Sequence, residues 1–135
     1  MSNYQEEMLD CIKWYQKRHK DKNGNVPIPI FEIMVFEHPN KKMTYPTSQG
    51  NVYSGWPDTG CINHVGFYYE LDTAIQAMNE NWCNMQETCY YAGFIICRFP
   101  GLYEAGTCRI YFLWNEEKKG FFEAEEPEIF QHMAY

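Results

Sequence analysis

Residues 87–114, ETCYYAGFIICRFPGLYEAGTCRIYFLW, constrain the fold more than any other stretch of this chain. Two apolar runs, Tyr90–Phe99 and Cys108–Trp114, flank the connection Pro100–Gly106. Both runs are rich in aromatic and β-branched residues, the composition of paired strands, and a Pro-Gly start marks the bend. The stretch therefore reads as an antiparallel hairpin over 88–114 at the centre of a sheet. A symmetric connection pairs residues whose numbers sum to about 207 and sets Arg98 opposite Arg109. Side chains alternate between faces, so Phe94, Ile96, Tyr111 and Leu113 share the arginines' face. Ile95, Cys97, Phe99, Cys108, Ile110, Phe112 and Trp114 line the other. Two apolar faces call for two covers, one made of helices and the other of a long loop or a second subunit. Two guanidinium groups facing each other require an anion, either a carboxylate of the chain (Glu87, Glu104 or Glu123) or an anionic ligand.

The elements around this hairpin follow from local signals. Ser2 followed by Gln5 has the form of a capping box, and Tyr4, Met8, Leu9, Cys11, Ile12 and Tyr15 recur at helical spacing. The spacing predicts a helix over 3–20, with Lys17, Arg18, His19 and Lys20 complementing its C-terminal dipole. Two prolines, Pro27 and Pro29, lead into an apolar strand over 29–37, whose first residues should lie at an edge or outside the ladder. Residues 38–63 hold the prolines, glycines and small polar residues of a long loop, with Val52 and Tyr53 able to form a short strand. Tyr45, Tyr53 and Trp56 stand on it, either folded back as a lid or offered to a partner. A strand over 64–69 precedes Leu71, Ala74, Ile75, Met78 and Trp82, the buried face of a helix over 71–82. A further strand is expected at 121–124. At 135 residues these elements fit a single α+β domain, an antiparallel sheet of about five strands with two helices packed on one face.

Composition excludes several classes. Hydrophobic residues make up 45% and aromatics 18%, too many for a disordered chain. The net charge of -7 argues against general nucleic-acid binding, which needs a basic footprint. No apolar run approaches ~20 residues, and the acidic start MSNYQEEMLDC lacks the features of a signal peptide. The expected compartment is the cytoplasm, where Cys11, Cys61, Cys83, Cys89, Cys97 and Cys108 are reduced, mostly buried thiols. Cys61-x-x-His64 is the one ligand-like spacing and has no second pair, so no metal and no cofactor are expected.

The series GFYYELDTAIQAM (66–78), NWCNMQETCYY (81–91), PGLY (100–103), RIYFLWN (109–115) and EEPEIF (125–130) resembles a family of small uncharacterised proteins from gut clostridial bacteria and their phages. The resemblance spans about residues 64–132 and rests on the order of aromatic and turn residues. It implies no catalytic residue. Where the family has Ser or Thr before the second helix, this chain has Glu70. The phage association implies a small accessory protein that interferes with a host system.

Three functions are compatible with these residues. The first is a non-catalytic binding or inhibitor protein that engages a host protein through an acidic surface bearing the aromatics of 41–63. The second is a binder of a small anionic ligand, such as a nucleotide signal, with Arg98 and Arg109 on phosphate and Tyr45, Trp56 or Tyr111 stacked on a base. The third is an enzyme with a site assembled near His64 from Asp58 and Glu87. No nucleotide-binding, metalloprotease or nucleophile-elbow motif is present, which favours binding over catalysis.

Overall fold

The computed structural model describes residues 2–36, 44–47, 50–53, 62–88, 90, 92–101 and 108–127, with backbone alone for 44–47, 50–53, 62 and 87–88. Helix α1 runs over Asn3–Arg18. Ser2 caps it, its side chain accepting from the Gln5 backbone N–H at 3.2 Å. It ends two residues earlier than the sequence predicts. Beyond it, the Asp21 carboxylate accepts from the backbone N–H groups of Asn23 and Asn25, closing a turn that Gly24 completes at φ +80°.

Strand β1 (Ile30–Phe36) starts just after Pro29, so both prolines stay out of the ladder. A two-stranded hairpin follows, β2 (Thr44–Thr47) with β3 (Gly50–Tyr53), inside the stretch expected to be loop. Strand β4 (Ile62–Tyr68) precedes helix α2 (Leu71–Asn79). Glu70 takes the extended cap position of α2 but makes no side-chain capping bond. The chain then leaves the helical path at Asn81, Cys83 and Asn84, all at positive φ, and forms 3-10 turns over Trp82–Thr88. Asparagine tolerates that conformation better than most residues, which is how the run of asparagines ends the helix early.

Strands β5 (Ala92–Arg98), β6 (Arg109–Asn115) and β7 (Gly120–Ala124) complete a five-stranded antiparallel sheet in the order β4-β1-β5-β6-β7. The α+β class and the five-stranded sheet read from the sequence are what the chain forms. Strand β1 is thus internal, flanked by β4 and β5.

The register of β5 against β6 differs from the symmetric expectation. Paired residues sum to 205, so Ile96 rather than Arg98 lies opposite Arg109, and Arg98 pairs with Ile30 of β1. A two-residue offset leaves every side chain on its expected face, because the pleat repeats every two residues. Phe31, Ile33, Val35, Ile95, Cys97, Ile110 and Phe112 accordingly form one buried cluster, which also holds Met8 of α1 and Ala74, Ala77 and Met78 of α2. Met34, Phe36, Ala92, Phe94, Ile96 and Tyr111 form a second cluster on the other face, with Tyr4 and Leu113 packed against it. Each of those six is at most 6% exposed within one chain, so their burial requires no second subunit.

Cysteine pairing is a second correction. Cys11 of α1 and Cys108, just before β6, are joined in a disulfide with their Cα atoms 6.9 Å apart. Helix α1 lies against β6, and that contact brings together two cysteines 97 positions apart in sequence. Cys97 is a buried free thiol, and burial pushes its pKa up to about 12. Cys83 is free but exposed rather than a small buried hydrophobe. Cys61 and Cys89 lie outside the described residues.

Candidate functional site

Arg98, Arg109 and Tyr111 share one sheet face, as the alternation requires, but the two guanidinium groups do not face each other across the strands. Arg98 donates from Nε to Glu32 Oε1 at 3.3 Å. Its side chain is 13% exposed and that of Glu32 21%. The Arg109 guanidinium sits 5.6 Å from the centroid of Phe94, a cation–π arrangement on the same face. Tyr111 donates its hydroxyl to Glu126 Oε1 at 3.3 Å and meets Tyr4 edge to face.

The acid beside Arg98 is therefore Glu32, which sequence reasoning did not single out. Glu123 accepts from the Gln5 side chain at 2.7 Å instead. Glu104 lies outside the described residues, and of Glu87 only the backbone is described. Glu32 is the sole acid in the apolar stretch of β1, and that isolation was the available signal.

His64 also reaches Glu32. Its Nδ1 lies 3.2 Å from the same Oε1 that Arg98 bonds. An imidazole held through Nδ1 by a carboxylate presents Nε2 outward, the orientation a general base needs. The His64 side chain is 57% exposed, however, and no nucleophilic side chain joins it among the described contacts. Among the described residues, no group of three His, Cys, Asp or Glu is placed to hold a metal. Asp58 and Trp56 lie outside the described residues, and Tyr45 is described only as backbone of β2.

Two surface features border this sheet. The first is β4, which ends the sheet. Val65, Phe67 and Tyr69 are 40%, 51% and 66% exposed, and the Phe67 and Tyr69 rings meet edge to face at 5.8 Å. A bulge at Val65–Gly66 shifts the pairing from Ile33↔Gly66 to Met34↔His64. Beside it, a recess of about 160 Å³ opens between β4 and α2, with Ile33, Tyr68, Ala77, Trp82 and Met85 in its lining.

The second is an acidic cleft of about 520 Å³ at the start of α1, lined by Tyr4, Glu7, Glu123 and Glu125 among others. The Glu126 backbone N–H donates to the Tyr4 hydroxyl and alone would lower its pKa. The hydroxyl's bond to Glu125 at 2.9 Å, burial and the two carboxylate charges outweigh this and raise it.

Comparison with protein-family models, curated proteins and solved structures finds no match to this chain. No described helix is long and apolar enough to cross a membrane.

Proposed function

We propose that this chain is a non-catalytic binding protein that docks on another protein along strand β4. One observation carries the reading: the terminal strand of the sheet and the residue that follows it leave three large apolar side chains, Val65, Phe67 and Tyr69, substantially exposed. Aromatic side chains concentrate binding energy at protein interfaces, and a sheet edge adds backbone donors and acceptors. The acidic surface, with a net charge of -7, favours solubility and repels other acidic proteins. The engagement of Arg98 by Glu32 supports the same reading, because it supplies internally the anion that a phosphate ligand would otherwise provide. The resemblance to small proteins of clostridial bacteria and their phages points to a host protein as the partner and to inhibition as the outcome.

The test is capture of a host protein by the tagged chain, compared with Phe67→Asp, Tyr69→Asp and Trp56→Ala. Loss of the captured protein in the Phe67→Asp and Tyr69→Asp variants, with thermal unfolding unchanged, is the expected result. Loss in Trp56→Ala alone would move the interface to the 38–63 stretch and overturn the assignment to β4.

A further inference from the structure

Resting on that reading, we propose that the occupant of β4 is an extended, uncharged strand of a different protein, which adds to the sheet edge and seats one large apolar side chain in the recess beside Gly66. Gly66 pairs with Ile33 and has φ +153°, a conformation that other residues rarely adopt. A Cβ built there meets nothing within 4 Å. Gly66 thus contributes no side chain on the face carrying Ile33 and Tyr68, and Ile33, Val65, Ala77, Trp82 and Met85 line an open hollow. Tyr68, the next residue on that face, does not fill it, because it packs against Trp82 at 6.0 Å between ring centroids.

A strand laid against β4 places the side chain opposite Gly66 on this same face, directed at the hollow. The recess walls are apolar, so the side chain that fits is aliphatic, Met or aromatic. Of the two neighbouring residues of the added strand, which project to the other face, the one opposite Phe67 meets the Phe67–Tyr69 ring pair and is apolar; the other lies toward Val65 and His64. Charge agrees with this occupant: residues 62–69 contain no Asp, Glu, Lys or Arg, although the chain has 18 acidic and 11 basic residues.

A second copy of the chain fits less well. In an antiparallel pair about a two-fold axis, the same faces of the two sheets meet. On the face of Gly66 the second β4 offers another Gly66, a Tyr68 already packed in its own core, or a Val65 that already lines the recess of its own copy. Phe67 and Tyr69 point the opposite way, so self-pairing leaves the hollow empty.

Two labelled peptides test the proposal on the intact chain: Thr-Val-Leu-Val-Thr flanked by Gly-Ser, and the same peptide with Gly at its centre. The Leu peptide should bind about 10-fold more tightly or better, the gain from burying one large apolar side chain. Alkylating Cys83, an exposed thiol at the rim of the recess, with a bulky maleimide in a Cys61→Ser/Cys89→Ser background should abolish that difference. Methylating alternate peptide amides on the Leu peptide should abolish binding in one phase and not the other, as addition to an edge requires. Equal binding of the two peptides, no binding of either, or self-association that the Phe67→Asp change dissolves would each overturn the proposal. If the peptides fail while Phe67→Asp still releases a captured host protein, docking on β4 stands and only the seated side chain is lost.

Discussion

At the β7 edge of the sheet, Phe121 is fully buried, Gln5 of α1 bonds Glu123, and the carbonyl of Asn79 at the end of α2 presses on Gly120. At the β4 edge, Val65, Phe67 and Tyr69 face solvent and residues 62–69 carry no formally charged Asp, Glu, Lys or Arg. Charged side chains and covering helices are the usual means of preventing a terminal strand from pairing with other chains. Among the described residues, β7 has a charged side chain, Glu123, bonded from α1 and also lies against α2, whereas β4 has a bulge and α2 beside it. The difference teaches that fuller protection was available to this fold and is lighter at β4, beside the exposed Val65, Phe67 and Tyr69, which is the pattern of an edge kept open for use.

The sharpest way to break this comparison is to truncate one aromatic on each edge. Phe121→Ala should cost about 3–5 kcal/mol in chemical denaturation, as deletion of a fully buried ring does. Phe67→Ala should stay within about 0.5 kcal/mol. Equal costs would show that β4 is packed rather than open. Next in size is the disulfide beside the guarded half: a Cys11→Ser/Cys108→Ser double variant, or reduction of the native chain, should lower stability by about 2–4 kcal/mol. An unchanged midpoint under reductant would remove the covalent link from the account.

A smaller effect separates two glycines. Gly120→Ala drives a Cβ into the Asn79 carbonyl oxygen, so α2 must shift, at about 1–3 kcal/mol. At Gly66 there is room and only the backbone conformation objects, so Gly66→Ala should cost about 1 kcal/mol. The reverse order in urea titrations would show that β4, not β7, is the crowded edge.

The smallest effect is set by pH. The Tyr4 hydroxyl has a raised pKa, so the fold favours its protonated form. Its contribution is complete below the ordinary tyrosine value near 10 and declines as pH rises through the raised one. Stability followed across that range should fall more steeply for the native chain than for Tyr4→Phe. Parallel curves would detach α1 from Glu125 and Glu126 as a source of pH sensitivity.

Much of this fold was legible because side-chain alternation survives errors in register. The face shared by Phe94, Ile96, Arg98, Arg109, Tyr111 and Leu113 was readable even though the pairing was two residues out, since nothing in Pro100–Gly106 fixes how the strands align. Glu32 was overlooked for a different reason. Its meeting with Arg98 and His64 depends on β1 lying between β5 and β4, and strand order is not written in local pattern. The same holds for Cys11 and Cys108, whose pairing follows from where α1 rests. The edge at β4 was visible as a strand but not as an edge. Gly66 and the apolar Val65, Phe67 and Tyr69 acquire meaning only once their neighbours are known.

The Cys11–Cys108 link also has a mechanical consequence. Tension applied to the chain on either side of the bridge passes through the bond itself, while the 97-position span within it, holding β1 through β5 and α2, is bypassed. A motor pulling the oxidised chain from the Cys11 side would meet a closed ring at that residue, and would have to thread two strands abreast or wait for the bond to be reduced.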